Sequence, residues 1–374
     1  FDYTLKELHD PLGGFWCGQD ADSDGVEGKY YVFSPSEIKQ VLGSEDGEKF
    51  CRWFDITDQG NFEGKNIPNL ISNQKFITED PEIKSLRQKI YEYRRNRTKL
   101  HTDDKVLLSW NGLMMAALAK AGSLQDGERY LNAARRTKDF IDRYMKKKDG
   151  RLFLRWRDGE AAIDGQLDDY AFYAYGLISL YQATWDVQYF IESIAVAEKM
   201  VELFFDAEAG GFYLYASESE QLISRPKESY DGAIPSGNSV AAWVLDKLAK
   251  LTGEAKWRSL ADQQFAFLAG IVSHYPAGHA FALTAMTEVL YPSWELICTS
   301  NQSGTEKNLL LLAQKYGRSR GSILLKTPQN ADHLAMAAPF SEAYPIPDSG
   351  EKYYLCRGEN CSAPVDLEGV LSML

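Results

Sequence analysis

The feature that most constrains this chain is a series of six segments with apolar residues at three- and four-residue spacing. That spacing is typical of helices packed along one face. Short links join consecutive segments and predict antiparallel helix pairs. Equivalent positions recur at Trp110, Tyr170 and Asn238, and repeated helix pairs predict an α-solenoid or a closed α/α toroid. The six segments span residues 107–121, 130–145, 169–185, 190–205, 238–251 and 257–271.

Glycine-aromatic stretches lie between the helix pairs and predict short β-hairpins. They read GGFW at 13–16, GRLFLRW at 150–156 and GGFYLY at 210–215. Nearer the N-terminus, KYYVF at 29–33 has the composition of a strand. Ser34 and Pro35 follow it as the expected N-cap and first residue of a helix. The predicted fold class is therefore mostly α, with short β-hairpins.

Residues 294–330 have a different pattern from the rest of the chain. Apolar WELICTS is followed by helical NLLLLAQKYG and then by apolar SILLKT. This order predicts a βαβ unit, since parallel strands need a crossover connection. We expect three regions: a toroid region with an acidic cleft at 1–293, a small α/β insertion at 294–330, and a C-terminal closing segment at 331–374.

Three acidic clusters precede apolar segments and supply the candidate catalytic residues. The clusters are QDADSDG at 19–25, HTDDK at 101–105 and QLDDYAF at 166–172. A ring of helices would direct such carboxylates into one cleft, where acid–base chemistry needs two carboxyl groups or a histidine. The alternative is that each acid caps its own helix, although adjacent acids need only one cap. The catalytic candidates are His101, Asp104, Asp168 and Asp169.

A second set of residues has the chemistry of a sugar-binding surface. An indole can stack on a pyranose face, and amide or carboxylate groups can bind hydroxyls. The alternative is packing between repeats. Asp20, Asp22 and Asp24 also match the first half of a calcium loop, but Tyr31 stands where the bidentate glutamate belongs, so no metal or other cofactor is expected. The substrate-binding candidates are Asp20, Asp22, Trp110, Asn111, Tyr170 and Asn238.

Composition excludes several classes of partner. The net charge of −12 argues against nucleic acid, and no apolar run reaches the length of a membrane span. Five cysteines without a CxxC pair fit reduced thiols in a cytoplasmic location better than a disulfide framework. Cys356 and Cys361 are the only close pair, and the alternative is that these two meet across a turn. The chain begins at Phe1 rather than methionine, which is typical of a fragment boundary.

Several motifs of ten or more residues resemble one family. They are QDADSDGVEGKYYVFSPSEI, QGNFEGKNI, DDKVLLSWNGLMMAALAKAG, LDDYAF, DGAIPSGNSVAA and the tail YYLCRGENCSAPV. Together they resemble the C-terminal part of the thioredoxin-domain-containing proteins related to spermatogenesis-associated protein 20. The resemblance implies a six-hairpin glycosidase-like toroid, as in glycosidases and N-acylglucosamine 2-epimerases. It also implies an upstream thioredoxin-like domain and first hairpins that this sequence lacks, so we expect an incomplete ring.

Motifs and resemblance together favour a carbohydrate-active enzyme, either a glycoside hydrolase or a sugar epimerase. Its expected ligand is a carbohydrate bound at the acidic mouth of the toroid. The alternative is a non-catalytic scaffold whose cleft binds a ligand or a protein, partnered with the upstream thioredoxin-like domain.

Overall fold

The computed structural model describes residues 1–73, 80–124, 126–219, 224–291, 293–316, 321–358 and 360–374. The chain divides into two compact units. Unit 1 comprises Phe1–Phe15 and Lys105–Leu374, and unit 2 comprises Trp16–Asp104. Unit 2 is thus inserted into the sequence of unit 1. The predicted division of the chain at residues 293 and 330 stays a prediction.

The described residues are mostly helical. The helices are α1 Asp2–Glu7, α2 Pro35–Leu42, α3 Ser44–Trp53, α4 Pro81–Arg97, α5 Leu108–Ala121, α6 Glu128–Phe140, α7 Leu167–Thr184, α8 Val187–Phe204, α9 Gly237–Thr252, α10 Ala255–Val272, α11 Ala280–Leu290, α12 Thr305–Tyr316, α13 Ala331–Ala337 and α14 Leu367–Met373. The strands are β1 Gly18–Gln19, β2 Asp22–Ser23, β3 Val26–Glu27, β4 Thr102–Asp103, β5 Val106–Leu107, β6 Phe153–Arg157, β7 Glu160–Asp164, β8 Trp294–Ser300, β9 Gly321–Lys326, β10 Glu351–Arg357 and β11 Asn360–Cys361.

Helices α5, α7, α9 and α11 of unit 1 are parallel neighbours with their N-termini at one end. Between α5 and α7, the Ser109 N–H donates to Asp169 at the N-terminal ends, 2.9 Å away. Further along the same pair, Gly176 packs on Met115. Parallel inner helices of this kind are what the repeat predicts, and the prediction is confirmed.

The same direction holds from α7 through α9 to α11. Tyr175 on α7 packs edge-on against Trp243 on α9, with ring centroids 4.7 Å apart. Asp231 precedes α9, and one of its carboxylate oxygens accepts the N–H of Ser236. Its other carboxylate oxygen accepts the N–H of Phe281 in the first turn of α11. One side chain therefore joins the N-terminal ends of two inner helices.

The helix after each inner helix runs back in the opposite direction. Tyr170 at the start of α7 contacts Phe204 at the end of α8, and Tyr181 near the end of α7 stacks on Phe190. Helices α9 and α10 are antiparallel too, because Gln264 donates to Asn238 at one end and Arg258 pairs with Asp246 near the other. Inner and outer helices in this order make unit 1 a partial α/α toroid.

Three repeats of unit 1 share one backbone anchor. In each, an isolated β-bridge holds a residue that lies C-terminal to a helix against a glycine-aromatic stretch. A polar side chain at the start of the next inner helix binds that stretch. The bridges are His9 with Phe15, Lys146 with Leu152, and Phe205 with Phe212. The side chains are Asn111, Tyr170 and Asn238 respectively.

The predicted β-hairpins are only partly present. Strands β6 and β7 form a hairpin, and β5 pairs with β6. GGFW and GGFYLY instead contribute the single bridging residues Phe15 and Phe212. The backbone groups of Phe15 and Phe212 bind the side chains of Asn111 and Asn238. A side-chain amide has both a hydrogen-bond donor and an acceptor, so it takes the place of a neighbouring strand.

The C-terminal part of unit 1 contains a four-stranded sheet in the order β11-β10-β8-β9. Strands β8 and β9 are parallel and are connected through α12, which is a βαβ crossover. Strand β10 is antiparallel to β8, and β11 is antiparallel to β10. The sheet therefore joins strands from both sides of residue 330.

Unit 2 packs α2, α3 and α4 around an apolar core that includes Phe33, Ile38 and Phe50. The Ser34 hydroxyl accepts the Glu37 N–H with Pro35 in the first turn, as the sequence predicts. KYYVF is not a strand. The Arg97 guanidinium binds the carbonyls of Lys29, Tyr30 and Val32, so these acceptors face a side chain rather than another strand.

The expectation of reduced thiols is wrong for one cysteine pair. Cys356 and Cys361 form a disulfide, and they are direct partners across the antiparallel pair β10–β11. Cys17, Cys51 and Cys298 lie outside this disulfide.

None of the helices in the described part of the chain is both long enough and apolar enough to cross a lipid bilayer.

Tyr170→Phe is expected to lower the free energy of unfolding by about 1–2 kcal/mol, because the buried Leu152 N–H loses its acceptor. Tyr275→Phe is the control, since Tyr275 is 56% exposed. Chemical denaturation followed by circular dichroism measures both variants. Equal stability of the two would show that the Tyr170 hydroxyl contributes nothing to the anchor.

Candidate acidic site at the inner-helix N-termini

Asp168 lies in the first turn of α7, against the first turn of α9. Its carboxylate accepts the backbone N–H of Gly237. A Cβ at Gly237 would collide with the Asp168 carboxylate, so glycine is what permits this approach. Burial raises the pKa of Asp168 to about 6, while the hydrogen bond from Gly237 opposes the shift. A carboxyl group with this pKa is partly protonated near neutral pH and can donate a proton.

Both carboxylate oxygens of Asp169 bind backbone N–H groups. It is 1% exposed, and its two oxygens accept the N–H groups of Ser109 and Gln166 at 2.9 and 2.8 Å. Burial raises the pKa of Asp169 to about 7 despite these bonds. The Gln166 bond belongs to a capping box at the start of α7, and the Ser109 bond links α7 to α5. Of the two adjacent acids, Asp169 belongs to the cap of α7, whereas Asp168 contacts the first turn of α9.

A second carboxylate at this end was not singled out from the sequence. The negative charge of Glu228 adds to the upward shift of the Asp168 pKa. Glu228 is exposed, and its backbone carbonyl accepts from the Asn238 amide 2.8 Å away, which fixes the segment beside α9. Glu228 carries no sequence signal of its own, because it lies in an irregular segment far from any acidic pair.

Trp110 provides exposed aromatic surface on the first turn of α5 and is 44% exposed. Its neighbour Ser109 binds Asp169, so the first turns of α5 and α7 are in direct contact. The N-termini of α5, α7, α9 and α11 lie at this same end, and their dipoles favour negative charge there. The described part of unit 1 thus combines a protonatable carboxyl, a second carboxylate and an exposed indole near one end of the inner helices.

Three of the predicted substrate-binding residues hold the repeat anchors instead of an open surface. Asn111 is 1% exposed and bonds both backbone groups of Phe15 and the carbonyl of Leu107. Asn238 is buried in the same way against Phe212 and Glu228. Tyr170 is buried, and its hydroxyl accepts the Leu152 N–H. These contacts explain why polar residues recur there; a direct contact with substrate stays a prediction.

The remaining candidates belong to unit 2, where two acidic clusters are brought together. Strands β1 and β4 pair, and the Asp20 N–H donates to the His101 carbonyl 2.8 Å away. The Asp22 N–H in turn binds the Asp20 carboxylate. Asp20, Asp22 and His101 are exposed, and Asp104 is partly buried. Convergence of these residues with Asp168 and Asp169 of unit 1 stays a prediction.

Parallel inner helices, antiparallel outer helices and carboxyl groups at one end define unit 1 as a protein of the α/α-toroid class.

The family resemblance predicted from the motifs is confirmed by curated relatives. Human spermatogenesis-associated protein 20 is 26% identical to this chain over an alignment of 410 positions, which covers 97% of this chain and 52% of the relative. An uncharacterized protein of Caenorhabditis elegans is 25% identical over 98% of this chain and 55% of its own length. The chain spans about half the length of these relatives, and no family model matches it.

Solved structures with some likeness to the chain include sugar enzymes. Cellobiose 2-epimerase from Bacillus thermoamylovorans is 13% identical, with 72% of this chain and 68% of that chain covered and a TM-score of 0.40. An inactive variant of an α-1,6-mannanase from Salegentibacter, in complex with α-1,6-mannotriose, is 14% identical, with 71% and 67% covered and a TM-score of 0.37. The toroid class of unit 1 rests on its own helix directions.

Proposed function

We propose that the chain is the catalytic part of a carbohydrate-active enzyme, a glycoside hydrolase or a sugar epimerase. The observation that carries this proposal is the pairing of Asp168, whose pKa burial raises to about 6, with the exposed carboxylate of Glu228. Hydrolysis of a glycosidic bond uses two carboxyl groups, one as the acid and the other as base or nucleophile. In this proposal Asp168 is the general acid and Glu228 the base or stabilising carboxylate.

The proposed ligand is a mono- or oligosaccharide. The exposed indole of Trp110 offers a flat apolar surface to a pyranose ring, and the carboxylates accept hydrogen bonds from hydroxyl groups. Asp20, Asp22, His101 and Asp104, all in unit 2, remain proposed site residues of the enzyme. Asp169 and the three anchor residues position the first turns of the inner helices rather than react.

A non-catalytic scaffold is the second candidate, and one observation favours it. Asp169, Asn111, Tyr170 and Asn238 all bind backbone groups, so most of the repeated polar residues stabilise the fold. In that case the same end of the helices binds a sugar or a protein without turnover, in partnership with a thioredoxin-like domain. A cytoplasmic location is part of either proposal.

A sugar screen separates the two candidates. The full chain is first tested by thermal shift against mono- and oligosaccharides, since a ligand that binds only the folded state raises the melting temperature. Bound sugars are then assayed for reducing-end release, which reports hydrolysis. Exchange of a sugar C–H proton with deuterated solvent reports epimerisation. Binding without either reaction supports the scaffold, and neither binding nor reaction contradicts the carbohydrate proposal.

A further inference from the structure

A cavity of unit 1 lies far along α9 from the acidic site. It has a volume of about 260 Å³ and adjoins the C-terminal end of α9, the start of α10 and one face of the four-stranded sheet. Its wall combines apolar side chains with two cations, a carboxyl group, a phenol and a disulfide. These polar lining residues are Lys250, Arg258, Glu295, Tyr344, Cys356 and Cys361.

The sheet register places a carboxyl group next to the disulfide. Cys361 is the partner of Cys356 across β11–β10, and Cys356 is the partner of Glu295 across β10–β8. Residues directly opposite in antiparallel strands point to the same face with Cβ atoms about 4.5–5.5 Å apart. Glu295 therefore lies directly opposite Cys356 on the face that lines the cavity.

The two sulfur atoms have different surroundings. Cys356 is 4% exposed, whereas Cys361 is exposed and its Sγ lies 3.4 Å from the Tyr344 hydroxyl. In thiol–disulfide exchange an incoming thiolate attacks an accessible sulfur, and the other sulfur leaves. Access therefore makes Cys361 the attacked atom and Cys356 the leaving group. Burial raises the pKa of Glu295.

The charge of the wall indicates which thiols fit. Asp246 pairs with both Lys250 and Arg258, at 2.8 and 2.9 Å, so one buried carboxylate offsets two cations. Asp262 approaches Arg258 only from the solvent side, at 3.7 Å. Lys247 and Glu288 form a separate buried pair and cancel each other. In the protonated form in which Glu295 can act as a proton donor it carries no charge, so Lys250 and Arg258 exceed Asp246 by one charge. This form of the cavity wall favours an anionic ligand.

We propose that Cys356 and Cys361 form a thiol–disulfide exchange site for a small anionic thiol, with Glu295 as proton donor. The substrate thiolate attacks Cys361 Sγ and forms a mixed disulfide. The Cys356–Cys361 bond breaks, its electron pair goes to Cys356 Sγ, and Glu295 protonates that sulfur. A second substrate thiolate attacks the substrate sulfur and leaves the substrate as its disulfide, and Cys361 departs as a thiolate that takes up a proton from solvent. The reverse steps reoxidise the dithiol with the same disulfide.

Trapping of the mixed disulfide tests the assignment of the two sulfurs, with glutathione as the anionic probe. In Cys356→Ser, oxidised glutathione is expected to modify Cys361 at least tenfold faster than it modifies Cys356 in Cys361→Ser. Peptide mapping by mass spectrometry locates the adduct and excludes Cys17, Cys51 and Cys298. Equal rates in the two variants would overturn the proposed roles.

Reduction of the unmodified chain by glutathione tests Glu295 and the ligand class. Glu295→Gln is expected to slow the reduction about tenfold, and the exposed control Glu342→Gln to leave it unchanged. At low ionic strength, glutathione should react faster per thiolate than neutral 2-mercaptoethanol, and added salt should remove the difference. This comparison holds even if Glu295→Gln folds poorly. A disulfide that resists excess glutathione, an unchanged rate in a folded Glu295→Gln, or no preference for the anionic thiol would each contradict the proposal.

Discussion

Asp168→Asn is expected to reduce turnover of any sugar substrate by about 10²–10⁴-fold, the usual contribution of a general acid or base. Asparagine cannot donate the proton that the raised pKa of Asp168 keeps available. Its side-chain oxygen still accepts the Gly237 N–H and asparagine carries no charge to bury, so stability at neutral pH should not fall. Asp158→Asn is the control, because the Asp158 side chain is 83% exposed and its positive φ of 52° suits asparagine.

The pH dependence gives a second test of the same residue. The pKa of Asp168 rises from 3.8 to about 6 on folding, so the folded chain binds more protons than the unfolded chain between these values. The free energy of unfolding should therefore fall as pH rises from about 4 to about 6. In Asp168→Asn this fall should be smaller. Activity of the unmodified enzyme should decline above about pH 6, where Asp168 loses its proton. Identical stability profiles would show that Asp168 is not buried as described.

Asn238→Ala is expected to lower the free energy of unfolding by about 3–4 kcal/mol. The buried amide satisfies the Phe212 N–H and the carbonyls of Phe212 and Glu228, and each buried group left without a partner costs about 1–3 kcal/mol. Asn132→Ala is the control, since Asn132 is an exposed residue on the outer helix α6.

Hydrogen exchange distinguishes loss of this anchor from general destabilisation. In Asn238→Ala the Phe212 amide should exchange much faster, while the Phe15 amide, which binds Asn111, should be affected less. Asn111→Ala should give the opposite pattern. Equal acceleration at both amides would mean that the repeats do not have separate anchors.

Much of the helical architecture follows from local signals in the sequence. Three- and four-residue apolar spacing predicts the helices, and Ser34 with Pro35 predicts the start of α2, because caps and periodicity act within a few residues. The recurrence of Trp110, Tyr170 and Asn238 predicts equivalent inner helices, and they are parallel neighbours. A prediction from local pattern was wrong where a side chain distant in sequence binds the backbone carbonyls. Arg97 binds the carbonyls of the KYYVF segment, which therefore forms no strand.

The candidate site residues also combine features that are visible in the sequence with features that depend on contacts between distant residues. Adjacent acids at 168 and 169 mark the start of α7 in the sequence, but they do not reveal which acid caps the helix. The tertiary structure decides this, because Ser109 from another helix occupies Asp169 while Gly237 lets α9 approach Asp168. Glu228 becomes a partner of Asp168 only through folding.

The helices, their repeat and the residue types available for chemistry therefore follow from local propensity and periodicity along the chain. Which polar groups are satisfied by the backbone, and which keep a shifted pKa, depends on long-range packing. The tertiary structure also decided that Glu295 faces Cys356, because strand register depends on contacts between residues far apart in the chain.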